Sequence, residues 1–275
     1  MRFDWLVPPL LAFPLVLAAC GGGGSSATGG AGGTGTNASG GSGGNGTGGG
    51  STAALCTMPT PVTCADQVIL QMNFQPDVSP GEITNTPDGA GWTSNIDATA
   101  GGAFASKPDS YTYGKFTDQG LQKVSISDED SLDSMDWDVA FRRYVVRSNS
   151  ADSGPSCVQA ARVPGTAKYE DITAVPDNLS YHPDDTFTDS CDLIPDGSGL
   201  PDSPATALSS YWTYPGCVQM THHVFVIALA DGRHVKLTVD DYYSPAVQEQ
   251  CDTTGSIPMT NTGSANFVVR WAFLP

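Results

Sequence analysis

Positively charged residues are scarce in this chain of 275 residues. It contains 12 Lys and Arg against 29 Asp and Glu, a formal net charge of −17 at pH 7. Binding to a nucleic-acid backbone requires clustered Lys and Arg, and anionic membrane surfaces attract basic segments for the same reason. The composition therefore argues against both partners, and the ordinary effect of the excess acid is solubility.

Catalytic and metal-binding motifs are also lacking. The sequence has only four histidines, His182, His222, His223 and His234, and it contains no H-E-x-x-H and no C-x-x-C pattern. Nothing in it assembles a nucleophile, a base and an oxyanion donor. We therefore predict that the protein is not an enzyme, and a secreted hydrolase is the weakest of three functional hypotheses.

The N-terminus has no apolar run long enough to cross a bilayer. The apolar stretch from Trp5 to Leu17 follows Arg2 and ends in Leu17-Ala18-Ala19-Cys20. This length and the small residues at its end are typical of a signal peptide. The ending matches the lipobox of bacterial lipoproteins, which predicts a signal peptide over 1–19 and a diacylglycerol on Cys20. An ordinary secretory signal with an incidental cysteine is the alternative.

The segment after Cys20 is almost devoid of residues that a core would bury. Residues 21–53 are nearly all Gly, Ser, Thr, Ala and Asn, a composition that stays flexible. We therefore interpret residues 20–53 as a lipidated cysteine and a tether. Gly21 does not resemble an inner-membrane retention signal, which favours lipid anchoring in the outer membrane.

Residues 54–275 form the predicted folded domain, and six cysteines lie in it. An even number in an exported protein indicates disulfides. A short Pro-rich loop favours the pair Cys56–Cys64. The pairs Cys191–Cys217, across a long loop, and Cys157–Cys251 are the preferred hypotheses for the other four.

Strand patterns dominate this domain, and long helical periodicity is scarce. The predicted strand regions are 67–74, 92–98, 111–116, 121–126, 135–147, 223–230, 233–243 and 266–274. We therefore predict an all-β fold of mainly antiparallel sheets, arranged as a sandwich with long loops.

The most distinct local pattern is a hairpin around Asp231-Gly232, a type I′ turn dipeptide. A two-residue turn would place Leu229 opposite His234 and Val226 opposite Leu237. It would put Val224, Val226 and Ala228 on the core face of the first strand.

The same register would pair His222 with Asp241 and His223 with Asp240. Adjacent strand residues point to opposite faces, so the two histidines would not share a metal. Four aspartates in a loop, Asp189, Asp192, Asp196 and Asp202, suggest Ca²⁺ only weakly, and a solvated acidic loop is the favoured interpretation. We predict no metal site.

Residues 135–149 read Met-Asp-Trp-Asp-Val-Ala-Phe-Arg-Arg-Tyr-Val-Val-Arg-Ser-Asn. This run resembles the W-D-[IM]-A-[FL]-H-R-Y-[DN]-[IV]-R-x-N signature of the HmuY family of haem-binding bacterial lipoproteins. Val175-Pro176, the hairpin 224–243 and the strand 266–274 resemble later family elements in the same order. The resemblance covers about 93–275.

The resemblance implies a mainly β fold with a ligand site at one open end, where two loops hold haem iron between histidine or methionine side chains. His182 is the only candidate on the first loop. Tyr214, Met220 and His222 are the candidates on the second. The chain departs from the family at Arg142, where a histidine is usual, and at Tyr214-Pro215, where the second ligand is expected.

The leading hypothesis is a non-catalytic, lipid-anchored protein that captures haem or a related ligand outside the cytoplasm, with an outer-membrane receptor as a further partner. The alternative keeps the fold but replaces haem by a protein, glycan or metal.

Overall fold

The computed structural model describes residues 56–99, 109–200 and 203–275, which lie within one compact unit, Gly48–Pro275. The predicted signal peptide 1–19, Cys20 and the tether to residue 53 lie outside the described residues. No helix in the described ranges has the length and hydrophobicity that a membrane crossing requires.

Short strands make up most of the described chain. The strands are β1 (Ile83–Asp88), β2 (Gly91–Asp97), β3 (Thr112–Thr117), β4 (Gly120–Val124), β5 (Val139–Arg142), β6 (Val145–Ser148), β7 (Gln159–Arg162), β8 (Trp212–Thr213), β9 (Gln219–Met220), β10 (Phe225–Ala228), β11 (His234–Asp241) and β12 (Asn266–Leu274). The α-helices are α1 (Ala65–Gln71), α2 (Asp128–Ser131) and α3 (Pro245–Thr254).

The strands pair antiparallel in three sheets. The largest has the order β1-β2-β12-β11-β10-β7, the second has the order β4-β3-β5-β6, and β8 pairs with β9. The predicted all-β class with mainly antiparallel sheets is confirmed.

The main core lies between the six-stranded and the four-stranded sheet. Phe116 of β3 packs edge-on against Trp271 of β12 at a centroid distance of 4.8 Å, and Phe141 of β5 packs against Phe267 of β12 at 5.3 Å. Both pairs belong to one buried hydrophobic cluster. Burial of such large side chains contributes about 2 kcal/mol each, so these cross-sheet contacts hold the sandwich closed.

The predicted register of the hairpin around Asp231-Gly232 is wrong by one residue. The structure pairs Ala228 with His234 and Phe225 with Leu237. Leu229 O accepts from Gly232 N at 3.0 Å, and Gly232 has φ of 86°. This is a three-residue loop with a left-handed glycine rather than a two-residue type I′ turn.

The change of register also reverses the predicted faces of β10. Phe225, Ile227 and Leu229 belong to the main core, whereas Val224 and Val226 pack on the outer face of the sheet. On that side they contact a segment that includes Val163 and Ile172. Both faces of β10 are therefore covered, as expected. The residues predicted for the core face lie on the outer face, and those predicted for the outer face lie in the core.

The apolar run 67–74, predicted as a strand, contains most of helix α1. Val68 and Met72 are spaced by four residues, and both are buried in a second cluster around Trp137. A short apolar run is compatible with either structure, and here the buried positions follow the helical period.

All three predicted disulfide pairs are wrong. The structure joins Cys56 to Cys157, Cys64 to Cys191, and Cys217 to Cys251. Cys56 and Cys64 are close in sequence, but Cys64 precedes α1 and lies beside Cys191. Pairing follows which elements pack together, which loop length alone does not indicate.

Candidate ligand-binding site

A cavity of about 900 Å³ opens at one end of the sandwich. The β5–β6 turn supplies Arg143 and Tyr144, the end of β11 leads into Tyr242 and Tyr243, and Tyr214 follows β8. The loop that precedes β12 closes the cavity with Ile257, Pro258, Met259, Thr260, Asn261, Thr262 and Ser264. We call this space the tyrosine cavity.

Four tyrosines, Tyr144, Tyr214, Tyr242 and Tyr243, border the tyrosine cavity together with aliphatic and small polar residues. Burial raises the pKa of Tyr242 and of Tyr243 above the ordinary value of 10.0. The Tyr243 hydroxyl accepts from Val218 N at 3.1 Å. Arg143 supplies a cation at the edge, with its guanidinium 5.2 Å from the centre of the Tyr144 ring. The cavity therefore combines flat apolar surface with one positive charge.

Gln248 of α3 positions the pair of tyrosines. Its side chain is buried, and Oε1 accepts from the backbone N–H groups of Tyr242 and Tyr243 at 2.9 and 3.1 Å. Its Nε2 donates to Val218 O at 3.1 Å. The Cys217–Cys251 disulfide joins the same helix to the segment before β9. Sequence reasoning missed α3, although Pro245 near its start and Gly255 at its end are ordinary helix signals.

Of the four predicted ligand residues, Tyr214 is the one that borders the tyrosine cavity. Its side chain is 43% exposed, and its ring meets that of Trp212 at 6.2 Å. It also borders a neighbouring cavity of about 520 Å³ beside Asp196 and Ser209. Its phenol is therefore accessible to a ligand.

His182 and Met220 lie elsewhere. The backbone of His182 pairs with Ala160 of the edge strand β7, and Nε2 of its exposed ring lies 3.0 Å from Ser180 Oγ. Met220 belongs to β9 and is only 6% exposed within the main core. Its sulfur would reach a ligand only if this part of the core opened.

His222 and His223 are not strand residues, so the predicted strand pairing with Asp241 and Asp240 is wrong, although His222 still interacts with Asp241. His222 has a left-handed backbone with φ of 49°, which lets both histidines border one cavity. The Nε2 atom of His222 lies 4.0 Å from Asp252 Oδ2, and His223 Nδ1 donates to Ser210 O at 2.9 Å. This cavity, of about 400 Å³, does not include Tyr214.

Within the described ranges, no three His, Cys, Asp or Glu side chains cluster as a metal site would require. In the acidic loop, Asp196 accepts from Ser203 Oγ at 2.6 Å and from Ser198 N at 2.9 Å, so it stabilises the loop. Asp202 lies outside the described residues.

The motif of 135–149 builds mainly the core, and its Arg143 and Tyr144 also border the tyrosine cavity. Trp137 is fully buried, and its indole N–H donates to Ser131 O at 3.1 Å. Asp138 accepts from Phe116 N at 2.8 Å, and Asn149 donates to Trp137 O at 2.9 Å. Buried polar groups with specific partners tie sequence closely to fold. A match to a sequence profile that contains this motif therefore indicates this fold.

Comparison with known families gives the same assignment. The HmuY protein family profile matches residues 107–255, more than half of the chain. The chain belongs to the HmuY family. Members of this family are binding proteins and not enzymes, so the prediction that the protein has no catalytic activity is confirmed at the family level.

Solved structures to which the chain shows similarity come from several organisms. An HmuY-like heme-binding protein of Bacteroides vulgatus shares 15% identity with a TM-score of 0.43, covering 70% of this chain and 96% of its own. A lipoprotein of Bacteroides fragilis shares 14% with a TM-score of 0.38, covering 69% and 92%. The apo HmuY analogue of Tannerella forsythia shares 15% with a TM-score of 0.38, covering 72% and 99%. No curated protein matches the sequence.

Proposed function

We propose that this HmuY-family protein is a cell-envelope lipoprotein that captures haem, or a related flat apolar ligand, in the tyrosine cavity without chemical conversion. The observation that carries the proposal is the accessible Tyr214 phenol beside a cavity of about 900 Å³ with aromatic walls. Small-molecule sites are commonly concave, mostly apolar and of this size.

The chemistry of the cavity fits haem in two respects. A porphyrin is a flat apolar ring with carboxylate side chains, which suits the Tyr242 and Tyr243 rings with Arg143 at the edge. Tyrosine is also an established type of haem-iron ligand. Tyr214 is 43% exposed, which supports its accessibility to a ligand.

A pair of histidine ligands does not fit. His182, Met220 and His222 do not border the tyrosine cavity. Met259 does, and its thioether is fully exposed. We therefore assign Tyr214 as the iron ligand and Met259 as the candidate for the opposite side, in place of the pairs that include His182. The sequence analysis missed Met259 because the resemblance placed the two ligands on the loops of His182 and Tyr214, and Met259 lies on a third loop, before β12.

Hemin titration tests this function. We expect a Soret shift and a charge-transfer band typical of tyrosinate ligation when hemin is added to the purified domain 54–275. Tyr214→Phe should abolish the charge-transfer band, and Met259→Leu should change the spectrum of the reduced complex. Tyr169→Phe, outside this cavity, is the matched control and should behave as the parent.

Two results would contradict the proposal. No spectral change at micromolar hemin, oxidised or reduced, would favour the alternative of a haem-independent binding protein with the same fold. Loss of the band in His182→Ala but not in Tyr214→Phe would move the site to the first loop.

We also propose that Cys20 carries the lipid anchor in the outer membrane. The support is the lipobox sequence, together with family membership. Labelling with palmitate should mark the full chain, and Cys20→Ala should lose the label and leave the membrane fraction. A labelled Cys20→Ala protein would contradict this assignment.

A further inference from the structure

The second cavity, with His222 and His223, is rich in basic side chains in a strongly acidic protein. It lies between the segment 163–170 and the outer face of the six-stranded sheet. Its lining includes Lys168 and Arg270, but Glu170 is its sole acidic residue. The whole chain carries 12 Lys and Arg against 29 Asp and Glu. The lining is therefore less acidic than the molecule as a whole, with Lys168 as a further cation beside the ion pairs that Arg270 forms with Asp240 and Glu170.

Arg270 is fixed at the base of this basic cavity. Its Nε donates to Asp240 Oδ2 at 2.5 Å, one terminal nitrogen to Asp240 Oδ1 at 3.2 Å, and the other to Glu170 Oε1 at 2.8 Å. A guanidinium has five N–H groups, so each terminal nitrogen keeps a second N–H that these bonds do not use. A guanidinium fixed in one orientation can donate its remaining N–H groups to the oxygens of a planar carboxylate or a tetrahedral phosphate.

Two further groups face the same space. His223 donates its Nδ1 proton to Ser210 O, which leaves Nε2 as the ring atom for a ligand. Thr238 lies on the floor, 1% exposed, and its hydroxyl has no hydrogen-bond partner among the described residues. Buried hydroxyls without partners are uncommon, and a ligand oxygen would supply the missing partner after a small adjustment of the floor.

We propose that the basic cavity binds a small oxyanion, a phosphate or carboxylate group, held by Lys168 and Arg270 with His223 and Thr238 beside it. The cavity volume of about 400 Å³ suits a small ligand or a single headgroup. Asp241 and Asp252 do not line the cavity, and both interact with His222. This site is separate from the tyrosine cavity and does not depend on haem binding.

The test is calorimetric titration of domain 54–275 with inorganic phosphate and, separately, with citrate at constant ionic strength. Co-sedimentation of the domain with vesicles containing phosphatidylglycerol distinguishes a lipid headgroup from a free anion. We expect Lys168→Gln to weaken binding about tenfold and Thr238→Val to weaken it several-fold. Lys123→Gln removes one positive charge outside this cavity and is the control for the change in net charge. Thr186→Val is the control for a buried hydroxyl without a partner, because Thr186 lies outside this cavity.

Binding of phosphate or citrate that depends on Lys168 would support a soluble oxyanion. Vesicle binding with the same dependence would support a headgroup. The proposal is overturned if none of the three probes binds, or if the Lys168 and Thr238 variants weaken binding no more than their controls. Thermal unfolding of each variant shows whether it remains folded.

Discussion

Asp138 shows how a single residue of the family motif serves the fold. Its carboxylate is buried, and burial raises its pKa to about 6 although Phe116 N donates to it at 2.8 Å. Arg147 lies nearby in sequence and is also fully buried, with its guanidinium 4.5 Å from the Phe74 ring centre and 3.1 Å from Tyr113 Oη. Burying these polar groups without hydrogen-bond partners would cost free energy. The motif therefore requires specific polar partners in addition to apolar side chains that fill the core.

The raised pKa of Asp138 predicts a stability change with pH. An acid whose folded pKa of about 6 exceeds the unfolded value of 3.8 binds more protons when folded. Its contribution is therefore full below pH 3.8 and is lost as pH rises through 6. Between pH 4 and 7.5 this loss is about 2 kcal/mol.

Asp138→Asn should remove that part of the pH dependence, because the amide oxygen still accepts from Phe116 N and carries no charge. Urea unfolding at pH 4 and at pH 7.5 measures the difference. Asp136→Asn, at an exposed position, should keep the parent's difference. An Asp138→Asn protein with the parent's full pH dependence would show that this carboxyl is not the source.

At the scale of elements, the β10–β11 hairpin depends on one glycine. Gly232 has φ of 86°, and the three-residue loop sets the register of both strands. The Asp231 carboxylate supports the loop by accepting from Arg233 N at 3.0 Å. The dipeptide itself was correctly interpreted as a turn, but its sequence fits more than one turn type. The one-residue difference was therefore decided by packing of Phe225 and Ile227 in the core.

Gly232→Ala should lower the free energy of unfolding by about 1 kcal/mol, because a side chain at positive φ is strained. Gly232→Asn should cost less, since Asn tolerates the left-handed region better. Equilibrium urea unfolding compares the two. Equal stability of Gly232→Ala and the parent would indicate a different loop conformation.

At the scale of the whole molecule, the disulfides join parts of the chain that are far apart in sequence. Cys56–Cys157 spans 101 residues, Cys64–Cys191 spans 127, and Cys217–Cys251 spans 34. The first two tie the N-terminal segment with α1 to the body. They constrain the unfolded chain most, because the entropy lost on closing a loop grows with its length.

The double variant Cys64→Ser, Cys191→Ser should lose about 2–5 kcal/mol of stability and expose α1 to proteolysis. The double variant Cys217→Ser, Cys251→Ser removes the disulfide that closes the shortest of the three loops, and it serves as the comparison. It should lose about 1 kcal/mol less, while loosening the tyrosine cavity through α3. Peptide mapping without reduction checks the three pairs directly, and a Cys56–Cys64 peptide would refute them.

Strand patterns predicted most of the fold that positions the site. Residues 266–274 were predicted from their alternation, and β12 occupies that range with Phe267, Val269 and Trp271 buried. The region 135–147 contains β5 and most of β6, as its apolar pattern indicated. The apolar run 67–74 is too short to separate the helical period from the strand period, and the strand patterns give no prediction for α3.

The candidate site was less predictable than the fold. Tyr214 follows Trp212 as the resemblance implies, but Met259 joins it at the cavity only after folding, and Gln248 reaches Tyr242 and Tyr243 from α3. The prediction that His222 and His223 point to opposite faces assumes a strand at these residues. The left-handed backbone of His222 breaks that alternation. Local rules cannot foresee either result, because each depends on neighbours distant in sequence.

The sequence by itself determined the β class, the alternation that buries each strand and the motif of the HmuY family, since these depend on side-chain pattern within a few residues. Only the tertiary structure decided which cysteines pair, which face of β10 enters the core and which side chains border each cavity. Those outcomes depend on how distant segments pack, and many arrangements share the same local patterns.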